Sequence, residues 1–233
     1  MSRFCSALLL FLAVCAAVAA PAPKTKPFKT GWDKPVDPDG DCKFSREKDV
    51  LTIEVPGTDH GLGIERNQMN APRLLRNVKG DFIVEVRVSG EFQPSSVGTN
   101  PAGFPFIGAG LLLMNGEKTY IHLERAATRP DDTYRTFANW ELRQEGQWVL
   151  RGGASVKPLE DKETYIRLER RGDKVLGSVS QDGKEWHRLT PIDVKLPETV
   201  KIGVAACNTS SKPFAPRFDR FQLKQRIKKK AAQ

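Results

Sequence analysis

YIRLERRGDKVLGSVSQDGKEWHRL, residues 165–189, reads as consecutive short strands joined by tight turns. Tyr165 to Arg170 and Lys174 to Val179 flank the turn Arg171-Gly172-Asp173. Asp182-Gly183 then turns the chain again into Glu185-Trp186-His187-Arg188-Leu189. Turn residues between short β-prone runs are the signature of hairpins. The Asp182-Gly183 turn forces the second hairpin, and Trp186 is expected to close its end over the core.

The same pattern extends in both directions. Val200 to Cys207 and Phe218 to Leu223 complete it toward the C-terminus. Upstream, Lys43 to Arg46 and Val50 to Val55 flank Glu47-Lys48-Asp49, with Leu51, Ile53 and Val55 alternating against Thr52 and Glu54. Phe82, Val84, Val86 and Val88 alternate with Ile83, Glu85 and Arg87 in the same way, giving one buried and one wet face. Gly110 to Asn115 is a continuous apolar run suited to a central strand, and Asn115-Gly116 is a hairpin turn because both residues tolerate positive φ. Ile121 and Leu123 alternate with Tyr120, His122 and Glu124. Phe137 to Arg143 and Trp148 to Arg151 flank Glu145-Gly146. Asn70 to Arg76 is read as one short helix or an irregular crossover. The pattern is that of an all-β, antiparallel two-sheet sandwich or jelly roll, with no second domain and no solenoid repeat.

Composition agrees. The chain has 233 residues, 39% hydrophobic and 28% charged, enough to bury a core without metal or disulfide staples. Collagen, coiled coil and wholesale disorder are excluded by this balance. Residues 1–19 read as a signal peptide: Arg3 is its positive region, Ala7 to Val18 its apolar run, and Ala17-Val18-Ala19 its cleavage site. Lipoprotein processing at Cys15 is the alternative. The protein is therefore expected to be secreted, or periplasmic at the cell envelope, with no transmembrane segment in the mature chain. Residues 20–39 read as a Pro- and Lys-rich linker that becomes ordered around Trp32, residues 40–225 as the sandwich, and 226–233 as a basic tail. The formal net charge is +9, but no aromatics interleave with the tail, so no nucleic-acid platform is expected. Cys42 and Cys207 either bridge, as an oxidising compartment permits, or pack as free thiols. No CxxC or HExxH occurs and the histidines at 60, 122 and 187 are scattered, so no zinc or haem motif is read.

Several strings resemble the domain of unknown function 1349 family. These are YIRLERRGDKVLGSVSQDGKEWHRL (165–189), VKIGVAAC (200–207) and FDRFQL (218–223). DPDGDCKF (37–44), VPGTDHGLGIERNQMNAPRLLRNVKGDFIVEVRV (55–88) and GLLLMNGEKTYIHLE (110–124) fit as well. The resemblance spans about residues 31–225 and is most specific in the Gly-Lys-x-Trp hairpin followed by Gly-Val-Ala-Ala. It implies a sandwich of the concanavalin-A-like lectin/glucanase type, whose members bind or cut polysaccharides, often on a concave sheet face. Fold alone does not carry function.

Catalysis is the weaker expectation. Glucanase-like relatives of this fold place three carboxylates on one strand face. Here Glu141-Leu142-Arg143-Gln144-Glu145 puts an arginine in the middle, which favours ionised carboxylates, and Gly146 places Glu145 in a turn. No nucleophile elbow or P-loop is present. A binding face is the better reading, formed by Tyr120, His122 and Glu124 on one strand and Asn139, Glu141 and Arg143 on another. Tyr120 would serve as a stacking plane and Glu85 and Arg87 would join from a neighbouring strand. The alternative is a solvated sheet face with cross-strand ion pairs. Asp37, Asp39 and Asp41 alternate around Pro38 and Gly40. Asp39 and Asp41, completed by Asp219, are candidate ligands of a structural Ca²⁺, against an Asp-Gly turn with capping carboxylates. The sequence thus points to a non-catalytic, carbohydrate- or surface-binding module. The partner would be a polysaccharide or cell-surface glycan, and no other cofactor is called for. A glycoside-active enzyme and a structural envelope protein are the alternatives.

Overall fold

The structure, a computed structural model, describes residues 34–100, 103–131, 133–151 and 157–226. The expected signal peptide, most of the linker with Trp32, and the tail beyond Arg226 lie outside these residues. Among the described residues, no helix is long and apolar enough to cross a membrane.

The strands are β1 (Lys43–Glu47), β2 (Val50–Glu54), β3 (Leu62–Gly63), β4 (Gln68–Met69), β5 (Arg73–Lys79), β6 (Asp81–Ser89), β7 (Phe106–Met114), β8 (Tyr120–Thr128) and β9 (Arg135–Gln144). After these come β10 (Gln147–Arg151), β11 (Lys157–Pro158), β12 (Thr164–Arg171), β13 (Lys174–Ser180), β14 (His187–Arg188), β15 (Ile192–Asp193), β16 (Thr199–Asn208) and β17 (Arg217–Arg226). A single 3₁₀ turn, Ile64–Arg66, separates β3 from β4. An eight-stranded sheet runs β1-β2-β17-β6-β12-β13-β14, with β15 also on β13. A seven-stranded sheet runs β10-β9-β8-β7-β16-β5, with β11 on β9, and β3-β4 form a separate ribbon. The pairings are antiparallel. The protein is the expected all-β two-sheet sandwich.

Period-2 alternation builds the core. From β6, Phe82, Val84, Val86 and Val88 turn inward. They meet Ile107, Ala109, Leu111 and Leu113 of β7, Ile121 and Leu123 of β8, and Trp140 of β9. Tight turns hold the hairpins. Glu145 (φ 53°) and Gly146 (φ 81°) make the β9–β10 corner, as the sequence places them. Asp182 accepts hydrogen bonds from the backbone of Lys184 and Glu185 and from Ser180 Oγ. The backbone bond from Lys184, then that from Glu185, holds its carboxyl down at about 2.

Three expectations need correction. Residues 73–79 are the edge strand β5 rather than a helix or crossover. Leu74 and Val78 face the core while Leu75 packs on the sheet's opposite face, so burial on both sides erases the alternation. Trp186 does not close the core. It is half-buried on the surface beneath the Arg167 guanidinium, 3.7 Å away, and Leu189 fills the interior instead, its amide donating to Gly177 O at 2.9 Å. Glu85 and Arg87 lie in the other sheet from β8 and β9, because β6 pairs with β12 and β17. There Arg167 Nε donates to Glu85 at 2.8 Å, and Arg87 makes a bidentate pair with Asp219 at 2.7 and 2.6 Å.

Candidate functional site

The outward phase of the seven-stranded sheet carries the polar groups. On β8 these are Tyr120, His122 and Glu124, and on β9 Asn139, Glu141 and Arg143, set by the register His122↔Glu141 and Glu124↔Asn139. The sequence grouped these six residues, and the structure places them together. On β7 the same phase is Phe106, Gly108, Gly110, Leu112 and Met114, and on β16 it includes Ala205 and Cys207. The segment Gly61–Ala71 folds back over this face. Tyr120 Oη donates to Leu62 O at 3.0 Å, and the Arg143 guanidinium reaches Glu65 at 3.4 Å.

Between this segment and the sheet lies a cavity of about 220 Å³. Its floor is His122, Glu124 and Cys207, and its wall is Asn139, Glu141 and Arg143. Trp148, Phe104 and Phe106 give it an aromatic rim, with the Arg143 guanidinium 4.2 Å from the Trp148 ring. Two missing side chains make the floor. A Cβ on Gly108 would strike Glu124 Oε2 and lie 2.6 Å from its Cδ, and one on Gly110 would lie 2.8 Å from Glu124 Cβ. The Glu124 carboxyl thus rests on a bare stretch of central strand.

The floor side chains are almost wholly buried. His122 is 2% exposed and Glu124 1%. Asn139 Nδ2 donates to Glu124 Oε1 at 2.8 Å, and His122 Nδ1 lies 3.4 Å from the same oxygen. Glu124 Oε2 and His122 Nε2 are buried without a hydrogen-bond partner. Burial drives His122 down to about 3, with Arg143 adding in the same sense. Burial raises Glu124 to about 8, reinforced by the Glu141 charge, and pushes the Cys207 thiol well up. Glu141 is ion-paired with Arg143 two residues along its own strand. Burial raises its carboxyl and Arg143 opposes the rise. Gly108→Ala is expected to push the Glu124 carboxyl off the floor at a cost of about 1–3 kcal/mol, as overpacking does. Urea unfolding together with the variant's crystal structure checks this; an unmoved Glu124 would contradict it.

Tyr120 is not a stacking plane, since it is completely buried beneath the covering segment. The exposed aromatic surface comes from Trp148 and Phe104, which the sequence reading left out. The phase of β10 and the Gly108-x-Gly110 spacing were the available signals. Asp219 is not brought to Asp39 and Asp41; Arg87 occupies it. Asp39 and Asp41 instead face His60, whose Nε2 lies 3.6 Å from Asp39 and 2.9 Å from Asp41. The neighbouring Asp37 carboxylate accepts from the amides of Gly40 and Cys42, as a capping carboxylate does. Cys42 and Cys207 are both free thiols. Cys207 faces the cavity floor, while Cys42 Sγ lies 3.6 Å from Asp41.

Comparisons with known proteins agree with this architecture. The sequence model of the family described as "Protein of unknown function (DUF1349)" matches residues 153–226. The resemblance read from the strings at 165–189, 200–207 and 218–223 is borne out there. No curated protein sequence matches the chain. Among solved structures, a functionally unknown protein from Saccharomyces cerevisiae superposes with a TM-score of 0.63 at 13% identity, over 84% of this chain and 97% of its own. A xylan β-1,4-xylosidase from Bacillus halodurans C-125 gives 0.56 at 17% identity over 86% of this chain, which spans only 40% of that enzyme. The carbohydrate-binding module CBM66 from Bacillus subtilis gives 0.50 at 11% identity over 84% of this chain and 96% of its own. At these identities the likeness is one of fold, the β-sandwich.

Proposed function

We propose that the cavity on the outer face of the seven-stranded sheet binds a carbohydrate, and that the protein is a secreted, non-catalytic glycan-binding module. The observation that carries this reading is the convergence of Asn139, Glu141 and Arg143 beneath the aromatic rim of Trp148, Phe104 and Phe106. The amide, carboxylate and guanidinium supply hydrogen-bond donors and acceptors for vicinal hydroxyls, and the rim supplies apolar surface for the C–H face of a sugar ring. At about 220 Å³ the cavity is smaller than the roughly 300–1,000 Å³ typical of drug-sized ligands. That size suits one sugar unit at the end of a glycan better than an internal stretch. The fold shared with CBM66 and with part of a xylosidase supports a carbohydrate ligand by analogy. The apolar run Ala7 to Val18 and the site Ala17-Val18-Ala19 support secretion.

The non-catalytic part of the reading rests on the carboxylates. Glu145 is exposed in the β9–β10 corner and Glu141 is held by Arg143, so the two do not flank a bond to be cut. A glycan array run beside a broad glycosidase panel tests both parts. Binding to a defined terminal sugar without hydrolysis is expected. Trp148→Ala should weaken that binding about tenfold, or about 1.4 kcal/mol, with the thermal midpoint nearly unchanged. An empty array overturns the glycan reading, and hydrolysis of any panel substrate overturns the non-catalytic one.

A further inference from the structure

We infer that His122, Glu124 and Cys207 form a binding site for one divalent transition metal, with Zn²⁺ as its natural occupant. A ring nitrogen of His122, a carboxylate oxygen of Glu124 and the Cys207 sulfur all lie within 4.8 Å of one another, and all three residues are buried. Zinc bonds of about 2.0–2.3 Å fit between such atoms after small side-chain rotations.

The unpaired atoms single out this trio. His122 Nε2 and Glu124 Oε2 are buried polar atoms with no hydrogen-bond partner, a costly state that a bound cation relieves. Asn139 binds Glu124 Oε1 and leaves Oε2 available, the outer-shell arrangement expected around a ligating carboxylate. Gly108 lies opposite Cys207 in the ladder and has no side chain, so sulfur and carboxyl approach each other across it.

The donor set selects the metal. One nitrogen, one oxygen and one sulfur suit Zn²⁺ or Co²⁺; Ca²⁺ and Mg²⁺ require oxygen. The metal displaces the Cys207 thiol proton and the Glu124 carboxyl proton to solvent, and thiolate plus carboxylate then balance its two charges. Arg143 is already paired with Glu141 and adds no net charge. Three protein ligands leave a fourth position open toward the cavity. A second such trio among the described residues, Asp41, Cys42 and His60, is partly exposed, and both ring nitrogens of His60 are already engaged, by Asp41 and by Thr58.

Titration of the metal-free, reduced full chain with Co²⁺ tests the site without any carbohydrate, so its outcome is separate from that of the glycan array. One equivalent should produce a near-ultraviolet thiolate-to-cobalt charge-transfer band and visible tetrahedral bands, and Zn²⁺ should bleach both. Cys207→Ser should abolish the charge-transfer band, and Cys42→Ser should leave it intact. Glu124→Gln, nearly isosteric and so a check on folding effects, should weaken Co²⁺ affinity at least tenfold while keeping the band. No charge-transfer band in the unaltered chain, or a band that survives Cys207→Ser, overturns the proposal.

Discussion

Trp140→Ala is expected to destabilise the protein by about 3–5 kcal/mol, the range for emptying a buried tryptophan site. Trp140 is fully buried at the centre of β9 and is the largest such side chain among the described residues. Its indole N–H donates to Thr190 O at 2.8 Å, and its ring packs against β13 of the facing sheet, so it ties the two sheets together. Truncation removes that contact and leaves a carbonyl without its donor. At roughly 2–4 °C per kcal/mol for a domain of this size, the melting midpoint should fall by about 6–20 °C. Trp140→Phe should lose less, because most of the ring area survives. A loss below about 1 kcal/mol in the alanine variant would contradict close packing between the sheets.

Arg125→Ala should come next, at about 3 kcal/mol. Arg125 occupies an inward position of β8 and is 1% exposed. Its guanidinium donates to Glu160 O at 2.9 Å and Thr164 Oγ1 at 3.0 Å, and stacks 4.7 Å from the Phe92 ring centre. Burial lowers its pKa, and Asp161, 3.4 Å away, opposes that shift. Bonds from a charged donor are worth about 1.5–3 kcal/mol each when lost, and the vacated volume adds to that. Arg125→Met keeps the apolar stem and should recover about half of the loss. Chemical denaturation of both variants separates packing from charge. A methionine variant as stable as the parent would show that the guanidinium contributes nothing.

The sandwich was legible because its central strands alternate cleanly. Phe82 to Val88 face in at every second residue, and the hairpin corners fall at Glu145-Gly146 and Arg171-Gly172-Asp173. β5 was not legible, since both faces are buried at its start, from Arg73 to Leu75, and the alternation is lost there. Five of the wall and floor residues, His122, Glu124, Asn139, Glu141 and Arg143, were legible for the same reason as the strands: same-phase polar residues on adjacent strands face one way; Cys207 was not grouped with them. Which sheet a strand joins is a long-range fact, so Glu85, Arg87 and Asp219 were assigned to neighbours they do not have. Tyr120 was misread because nothing local shows that Gly61–Ala71 folds over it. The floor trio had no visible motif. A site spread over β8 and β16 has ligands separated by 83 to 85 positions in the chain, and only the register through β7 brings them together.

The floor exists because two side chains are missing from a central strand. Glycine and alanine codons differ by a single base, so the smallest mutational step at Gly108 fills the hollow from beneath. Such a change leaves no mark on the surface and spares every wall residue. Descendants of an ancestral chain can therefore diverge into competent and silent lineages while looking alike in outline. In any set of relatives, the residue at this one position is the quickest guide to which copies have kept an open pocket.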